Sequence, residues 1–139
     1  MFKADDLAAL SGAQSLFAYN DYEFEYACKY LLEKSGTSKV FVTKKGSKGG
    51  DGGVDLQIRS ADGTIVAYGQ CKQWHTRYKG LVDSIRQLAG CMLRDQVKKG
   101  ILIVTVEANA YEKEEAERCG IEIMDFSVLE NMIRRINVV

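Results

Sequence analysis

Hydrophobic positions along the chain follow two periodicities. Segments with apolar residues three and four apart predict helices, and short alternating or continuous apolar segments predict strands. The predicted helices cover residues 5–10, 21–34, 81–98, 109–119 and 127–136. The predicted strands cover residues 39–43, 54–59, 64–72, 101–106 and 121–124. This order predicts an α/β fold in which helices flank a mixed central sheet.

Residues at the ends of these segments support their boundaries. Asp21 and Ser127 are predicted helix N-caps, because their side-chain oxygens can accept hydrogen bonds from free backbone N–H groups. Gly36 and Gly100 follow predicted helices, where glycine commonly ends the helical conformation. The continuous apolar run over 101–106 predicts a strand that is buried on both faces.

Composition fits one globular domain. The chain has 139 residues, of which 46% are hydrophobic, and we expect a single domain over 1–139 with 1–16 as an N-terminal extension. No segment approaches the roughly 20 apolar residues of a membrane span, and the first residues lack the apolar segment of a secretion signal. The four cysteines are widely spaced, with one histidine in the chain, so zinc-site spacing is absent. We therefore expect no membrane association, reduced thiols and a cytoplasmic location.

The two predicted strands on either side of residues 60–63 carry the candidate chemistry. The Ser-Ala-Asp-Gly sequence between them predicts a hairpin turn. Asp55 lies on the first strand, and Gln70 and Lys72 end the second, on the face opposite to Cys71. A carboxylate, an amide oxygen and an amine are thus predicted to converge, a set that can hold a divalent metal beside a phosphate.

The sequence around these residues resembles the Mrr-like restriction endonuclease family of the PD-(D/E)xK nuclease superfamily, in its variant with glutamine at the central position. The resemblance rests on the Gly/Asp-rich segment 49–55, on Gln-Cys-Lys-Gln-Trp at 70–74 and on Phe24-Glu25 in a preceding helix. It covers about residues 17 to 133 and implies a restriction-endonuclease-like fold. Glutamine replaces the commoner glutamate of the superfamily, which removes one metal-binding charge.

The resemblance implies a role for each matching residue. Asp55 would ligate Mg²⁺, for which Mn²⁺ could substitute, and Glu25 and the Cys71 backbone carbonyl would add ligands. Gln70 would position metal or water, and Lys72 would orient the attacking water for in-line attack that leaves a 5′-phosphate and a 3′-hydroxyl. Glu23 is the alternative to Glu25 if the helix register differs.

Basic residues concentrate around this motif although the formal net charge is zero. Residues 39–79 contain eight basic and three acidic residues, a distribution that attracts nucleic-acid phosphates. Asp51 is expected to support the glycine-rich loop through hydrogen bonds to backbone amides. Trp74 is open to two interpretations, as a DNA contact or as a packing residue at the hairpin end. The candidate DNA-binding residues are Lys44, Lys45, Lys48, Trp74, Arg77 and Lys79.

These observations together predict a Mg²⁺-dependent DNA endonuclease acting in restriction, defence or DNA processing. Since one site cuts one strand, double-strand cleavage would require a homodimer, and a partner protein could supply targeting. Two alternatives stay open at this point. One is a structure-specific nuclease like a Holliday-junction resolvase, and the other is a non-catalytic module that binds DNA or a protein partner.

Overall fold

The computed structural model describes residues 1–36, 38–43, 53–77 and 80–137. Two short 3-10 helices, Ala4–Ala9 and Ala13–Ala18, precede the first α-helix. The α-helices are α1 (Asp21–Ser35), α2 (Val82–Asp95), α3 (Ala110–Arg118) and α4 (Phe126–Ile136). The strands are β1 (Lys39–Val42), β2 (Leu56–Arg59), β3 (Ile65–Lys72), β4 (Gly100–Val104) and β5 (Ile121–Met124).

The five strands form one mixed sheet in the order β1-β2-β3-β4-β5. The first three strands pair antiparallel, and β3, β4 and β5 pair parallel. The predicted hairpin is present, with Leu56 opposite Gly69 and a turn in which the Gly63 N–H donates to the Ser60 carbonyl at 2.9 Å. Gly63 has φ +88°, a conformation that glycine adopts without steric cost. The predicted α/β fold with a mixed sheet between helices is confirmed.

Two hydrophobic clusters cover the two faces of the sheet. One joins the 3-10 helices, α1 and α4 to the sheet, and it includes Phe24 and Ile103. The other joins α2 and α3 to the opposite face and includes Leu88 and Leu102. Leu102 and Ile103 are neighbours in β4 and both are fully buried, which confirms that this strand is covered on both faces. The side chains in 1–16 that belong to the first cluster are Phe2, Leu7, Leu10, Ala13 and Leu16.

Both predicted helix caps are displaced from the residues that the sequence indicated. Asn20, one residue before Asp21, is the N-cap of α1, and its side chain accepts from the Glu23 N–H at 2.8 Å. Asp125 caps α4, while the Ser127 hydroxyl donates instead to the Glu107 carboxylate. In each case a second short polar side chain lies nearby, and backbone geometry selects which of them caps.

Helix α2 ends earlier than its apolar pattern predicted. It stops at Asp95, and Gln96 adopts a left-handed conformation with φ 58°. The Val97 N–H then donates to the Met92 carbonyl at 2.8 Å, which satisfies one of the last helical carbonyl groups. No helix in the described ranges is long and apolar enough to cross a lipid bilayer.

Candidate active site

A cavity of about 300 Å³ lies where the end of β3 meets the first turns of α1. The cavity lies at the edge of the sheet where the chain enters β2 and where it leaves β3. Gln73 fixes this edge, because its side-chain amide donates to the carbonyl groups of Leu16 and Tyr19 at 2.9 and 2.7 Å. The cavity is lined by Asp21, Phe24, Glu25, Asp55, Cys71, Lys72, Gln73 and Trp74.

Asp55 is held firmly by its neighbours in the sheet. Its backbone N–H donates to the Gly69 carbonyl at 2.8 Å, and its carbonyl accepts from the Thr43 N–H at 2.9 Å. One carboxylate oxygen, Oδ2, accepts from the backbone N–H of Cys71 at 2.8 Å. The Asp55 carboxylate is therefore oriented toward the end of β3, beside the other residues of the cavity.

Glu25 brings a second carboxylate to the same cavity from α1. Its side chain is buried, with 4% of its surface exposed, in contrast to an ordinary solvated helix glutamate. The alternative residue, Glu23, is in the capping box of α1, where its carboxylate accepts from the Asn20 N–H, and it is not among the residues lining the cavity. The helix register thus favours Glu25 over Glu23.

The Cys71 thiol lies in the same cavity as both carboxylates. Burial raises the pKa of the Cys71 thiol well above its usual value, and the neighbouring Cys28 thiol and the negative charges of Asp55 and Glu25 raise it further. A protonated thiol at neutral pH is a poor nucleophile. The Cys71 thiol is therefore unsuited to act as a nucleophile in this cavity.

Lys72 is the basic residue of the cavity lining. Its carbonyl accepts from the Thr105 N–H of the adjacent chain segment at 3.1 Å, and the Thr105 hydroxyl donates to the Trp74 carbonyl at 2.7 Å. These bonds fix the backbone at the lysine and two residues after it. The Lys72 side chain lines the cavity beside Glu25 and Asp55.

Gln70 lies on the other face of β3 and is not among the residues lining the cavity. It is fully buried, and its amide nitrogen donates to the Gly53 carbonyl at 3.0 Å and to the Gln87 side-chain oxygen at 3.1 Å. Its own oxygen, Oε1, is buried and accepts no hydrogen bond from the described residues. The structure thus brings together Glu25, Asp55, Cys71 and Lys72 and places Gln70 against α2.

The structure places the candidate DNA-binding residues in different environments. Trp74 lines the cavity and also packs against the α2-side cluster, so it is a packing residue at the end of the hairpin, while its contact with DNA stays a prediction. Arg77 forms an ion pair with the buried Glu112 carboxylate and donates to the Glu107 carbonyl at 2.6 Å. The predicted site residues outside the described part of the chain are Lys44, Lys45, Lys48, Asp51 and Lys79.

Several residues of the site were not identified from the sequence. Asp21 and Gln73 line the cavity, and Gln87 contacts Gln70 across 17 positions of sequence. Glu112 lies 35 positions from its partner Arg77. Gln73 lies within the Gln-Cys-Lys-Gln-Trp motif, so its position was a usable signal, whereas nothing local in the sequence indicates the other contacts.

The donor set fits a hard divalent cation. Asp55 and Glu25 offer carboxylate oxygens and Cys71 offers a backbone carbonyl, the ligand types that Mg²⁺ and Mn²⁺ prefer. In the described ranges no three His, Cys, Asp or Glu side chains form a ligand cluster. An ion held here would complete its coordination with water and substrate oxygens, as Mg²⁺ commonly does.

Comparison with solved structures shows a shared fold. The structure is similar to that of the DNA modification-dependent restriction endonuclease AspBHI, with a TM-score of 0.65 and 15% identity over 97% of this chain and 36% of that one. It is also similar to the MspJI restriction endonuclease, solved in complex with a 27-mer oligonucleotide, with a TM-score of 0.62 and 14% identity over 98% of this chain and 34% of that one. The chain thus spans about a third of the length of each of these proteins.

Sequence comparison identifies the family directly. No curated protein matches the chain in sequence. A restriction endonuclease family model for the Mrr catalytic domain matches residues 17–133, which is most of the chain and includes the whole cavity. The match also contains the hairpin and the Gln-Cys-Lys motif. The chain belongs to the Mrr family of restriction endonucleases.

Proposed function

We propose that the chain is a divalent-metal-dependent endonuclease that hydrolyses phosphodiester bonds in DNA. The observation that carries this proposal is the cavity in which Asp55, Glu25 and Lys72 meet at the end of β3. Membership of a restriction endonuclease family supports it. The oligonucleotide bound to the structurally similar MspJI supports DNA as the substrate.

Each residue of the cavity has a proposed role. Asp55 and Glu25 would hold Mg²⁺ or Mn²⁺, with the Cys71 carbonyl as a further ligand. Such an ion, when bound, polarises the scissile phosphate and lowers the pKa of water. Lys72 binds a phosphate oxygen, orients the attacking water and offsets the negative charge that develops on the phosphate in the transition state. The expected products carry 5′-phosphate and 3′-hydroxyl ends.

The assembly around this site is also part of the proposal. One cavity of this kind cleaves one strand, so cleavage of both strands requires two copies, and we propose a homodimer on DNA. We further propose that a partner protein contributes target selection, in restriction, defence or DNA processing. Measurement of the molar mass with and without duplex DNA tests the dimer, and a monomer under both conditions would contradict it.

Cleavage of supercoiled plasmid tests the activity. The wild type is compared with Asp55→Ala and Lys72→Ala in Mg²⁺, Mn²⁺ and EDTA. Removal of one group that stabilises charge in the transition state typically lowers the rate by about 10²–10³-fold. The cleavage rate of both variants should therefore fall at least about 100-fold, and EDTA should abolish cleavage. Asp62→Ala is the matched control, because this exposed aspartate lies in the hairpin turn outside the cavity lining.

Four results would contradict parts of the proposal. Cleavage that persists in EDTA would exclude the metal requirement, and full activity in Asp55→Ala would place the site elsewhere. Salt-dependent DNA binding without cleavage in either metal would favour a non-catalytic binding module. A strong preference for four-way junctions over linear duplex would instead favour a resolvase-like nuclease.

A further inference from the structure

Gln70 is held in one orientation by two hydrogen-bond acceptors. Its Nε2 donates to the Gly53 carbonyl at 3.0 Å and to the Gln87 Oε1 at 3.1 Å. A backbone carbonyl can only accept, so the amide nitrogen of Gln70 must face Gly53. Gln87 takes the second hydrogen of the same NH₂ group. Both donor positions of the Gln70 amide are therefore used within the protein.

The remaining polar atom of Gln70 is its carbonyl oxygen. Gln70 is fully buried, and Oε1 receives no hydrogen bond from the described residues. A buried acceptor without a donor is unfavourable in a folded protein, and such atoms are rare unless water, an ion or a functional role explains them. Because the two donor bonds fix the amide plane, they also fix the direction in which this oxygen is presented.

Gln87 connects this amide to the segment that enters the active site. Gly53 lies two residues before Asp55, and a Cβ atom at Gly53 would lie 2.8 Å from Gln87 Cγ and 3.0 Å from Gln70 Nε2. The chain before Asp55 thus packs directly on both glutamines. Gln87 is otherwise an exposed residue of α2, so a role in the hydrophobic core does not explain it.

We propose that Gln87 is a positioning residue for the active site: it accepts a hydrogen from the Gln70 amide, so that this amide stays in place to hold the Gly53 carbonyl and with it the segment that carries Asp55. This inference rests on the proposed nuclease function. It assigns to α2, on the opposite face of the sheet from α1, a direct part in arranging the catalytic strands. Residues that orient metal-site groups from outside the coordination sphere typically affect affinity or activity by about 10–100-fold.

Two substitutions at Gln87 separate a positioning role from a packing role. Gln87→Met keeps the length of the side chain and removes the acceptor, while Gln87→Glu keeps an acceptor oxygen in the same position. Gln14→Met is the matched control, because Gln14 is an exposed glutamine in the second 3-10 helix, outside the cavity lining. The readouts are the affinity for Mn²⁺ alone by calorimetry and kcat and KM for cleavage of a duplex oligonucleotide.

We expect Gln87→Met to weaken Mn²⁺ binding and to lower kcat by about 10-fold or more, with KM and the melting temperature close to those of the wild type. Gln87→Glu should restore both values to within about threefold, since the acceptor is retained. Wild-type values in Gln87→Met, or equal losses in Gln87→Glu and Gln87→Met, would overturn the inference while leaving the nuclease proposal intact. A wild type that neither binds Mn²⁺ nor cleaves DNA would overturn both.

Discussion

Replacement of Glu112 by alanine is predicted to lower the free energy of unfolding by about 3 kcal/mol. The Glu112 side chain is almost completely buried at the start of α3. One oxygen accepts from the Leu81 N–H at 2.7 Å and pairs with the Arg77 guanidinium, and the other accepts from the Asn109 N–H at 3.0 Å. One carboxylate thus joins the start of α2, the start of α3 and the segment that follows β3.

The magnitude follows from what each partner would lose. The buried Leu81 N–H would be left without an acceptor, which costs about 2 kcal/mol. The Asn109 N–H belongs to a capping box, whose loss costs about 1 kcal/mol. The Arg77 side chain is 36% exposed, so water replaces most of its interaction and adds little. For a domain of this size, 3 kcal/mol corresponds to a decrease of about 10 °C in melting temperature.

Urea unfolding of the wild type, Glu112→Ala and Glu114→Ala measures this effect. Glu114 is the matched control, because it lies in the same helix and is 65% exposed, with a surface ion pair to Arg118. Its replacement should cost less than about 0.5 kcal/mol. Equal midpoints for the two alanine variants would refute the reasoning, since they would show that the buried carboxylate contributes no more than an exposed one.

The pH dependence gives an independent check of the same carboxylate. Burial opposes ionisation of Glu112, but hydrogen bonds from the Leu81 and Asn109 backbones and the Arg77 charge outweigh it and hold the pKa below the ordinary value of 4.5. The contribution to stability is therefore present above that ordinary value and is lost as the pH falls through the lower, folded-state pKa. The difference between wild type and Glu112→Ala should shrink below about pH 4.5.

Two further predictions concern single residues on or next to β2 and β3. Gly53→Ala should reduce plasmid cleavage at least about 10-fold, because Gly53 has φ +128° and a Cβ at this position would lie too close to Gln70. Gly63→Ala is the control, because Gly63 also has a positive φ, +88°, but has open space around it. Equal cleavage by both variants would contradict the prediction. Asp95 should titrate in carboxyl NMR with a pKa of about 2, owing to hydrogen bonds from Arg94 and the Tyr68 hydroxyl. Tyr68→Phe should raise that pKa toward 3.8, and an unchanged titration would contradict the assignment.

Local sequence patterns predicted the parts of the fold that local physics determines. The turn at 60–63 and the alternation along β2 and β3 define the hairpin, because strand pairing and side-chain direction follow from a two-residue period. The continuous apolar run predicted a strand covered on both faces, and β4 is covered by both clusters. The predicted helix caps were wrong by one or two residues: the caps are Asn20 and Asp125, because neighbouring polar residues compete for the same backbone donors.

Side-chain partners across the sheet could not be predicted in the same way. The motif indicated Asp55, Lys72 and Glu25, and the structure brings these residues together in one cavity. The contact between Gln70 and Gln87 depends on how closely α2 packs on the sheet, and the pair between Arg77 and Glu112 depends on where α3 begins. Neither distance is contained in a periodicity, because both arise from tertiary packing.

The geometry of β3 explains why this site depends on both layers of helices. Adjacent residues of the strand face opposite layers: Cys71 packs with the α1-side cluster, and Gln70 contacts α2. The Cys71 N–H also orients the Asp55 carboxylate, while the Gln70 amide holds the Gly53 carbonyl two residues earlier. The chain that enters the candidate active site is thus fixed from both faces through consecutive residues of one strand. Contacts with both helix layers therefore hold the segment that carries Asp55 next to the end of β3, where Lys72 lies.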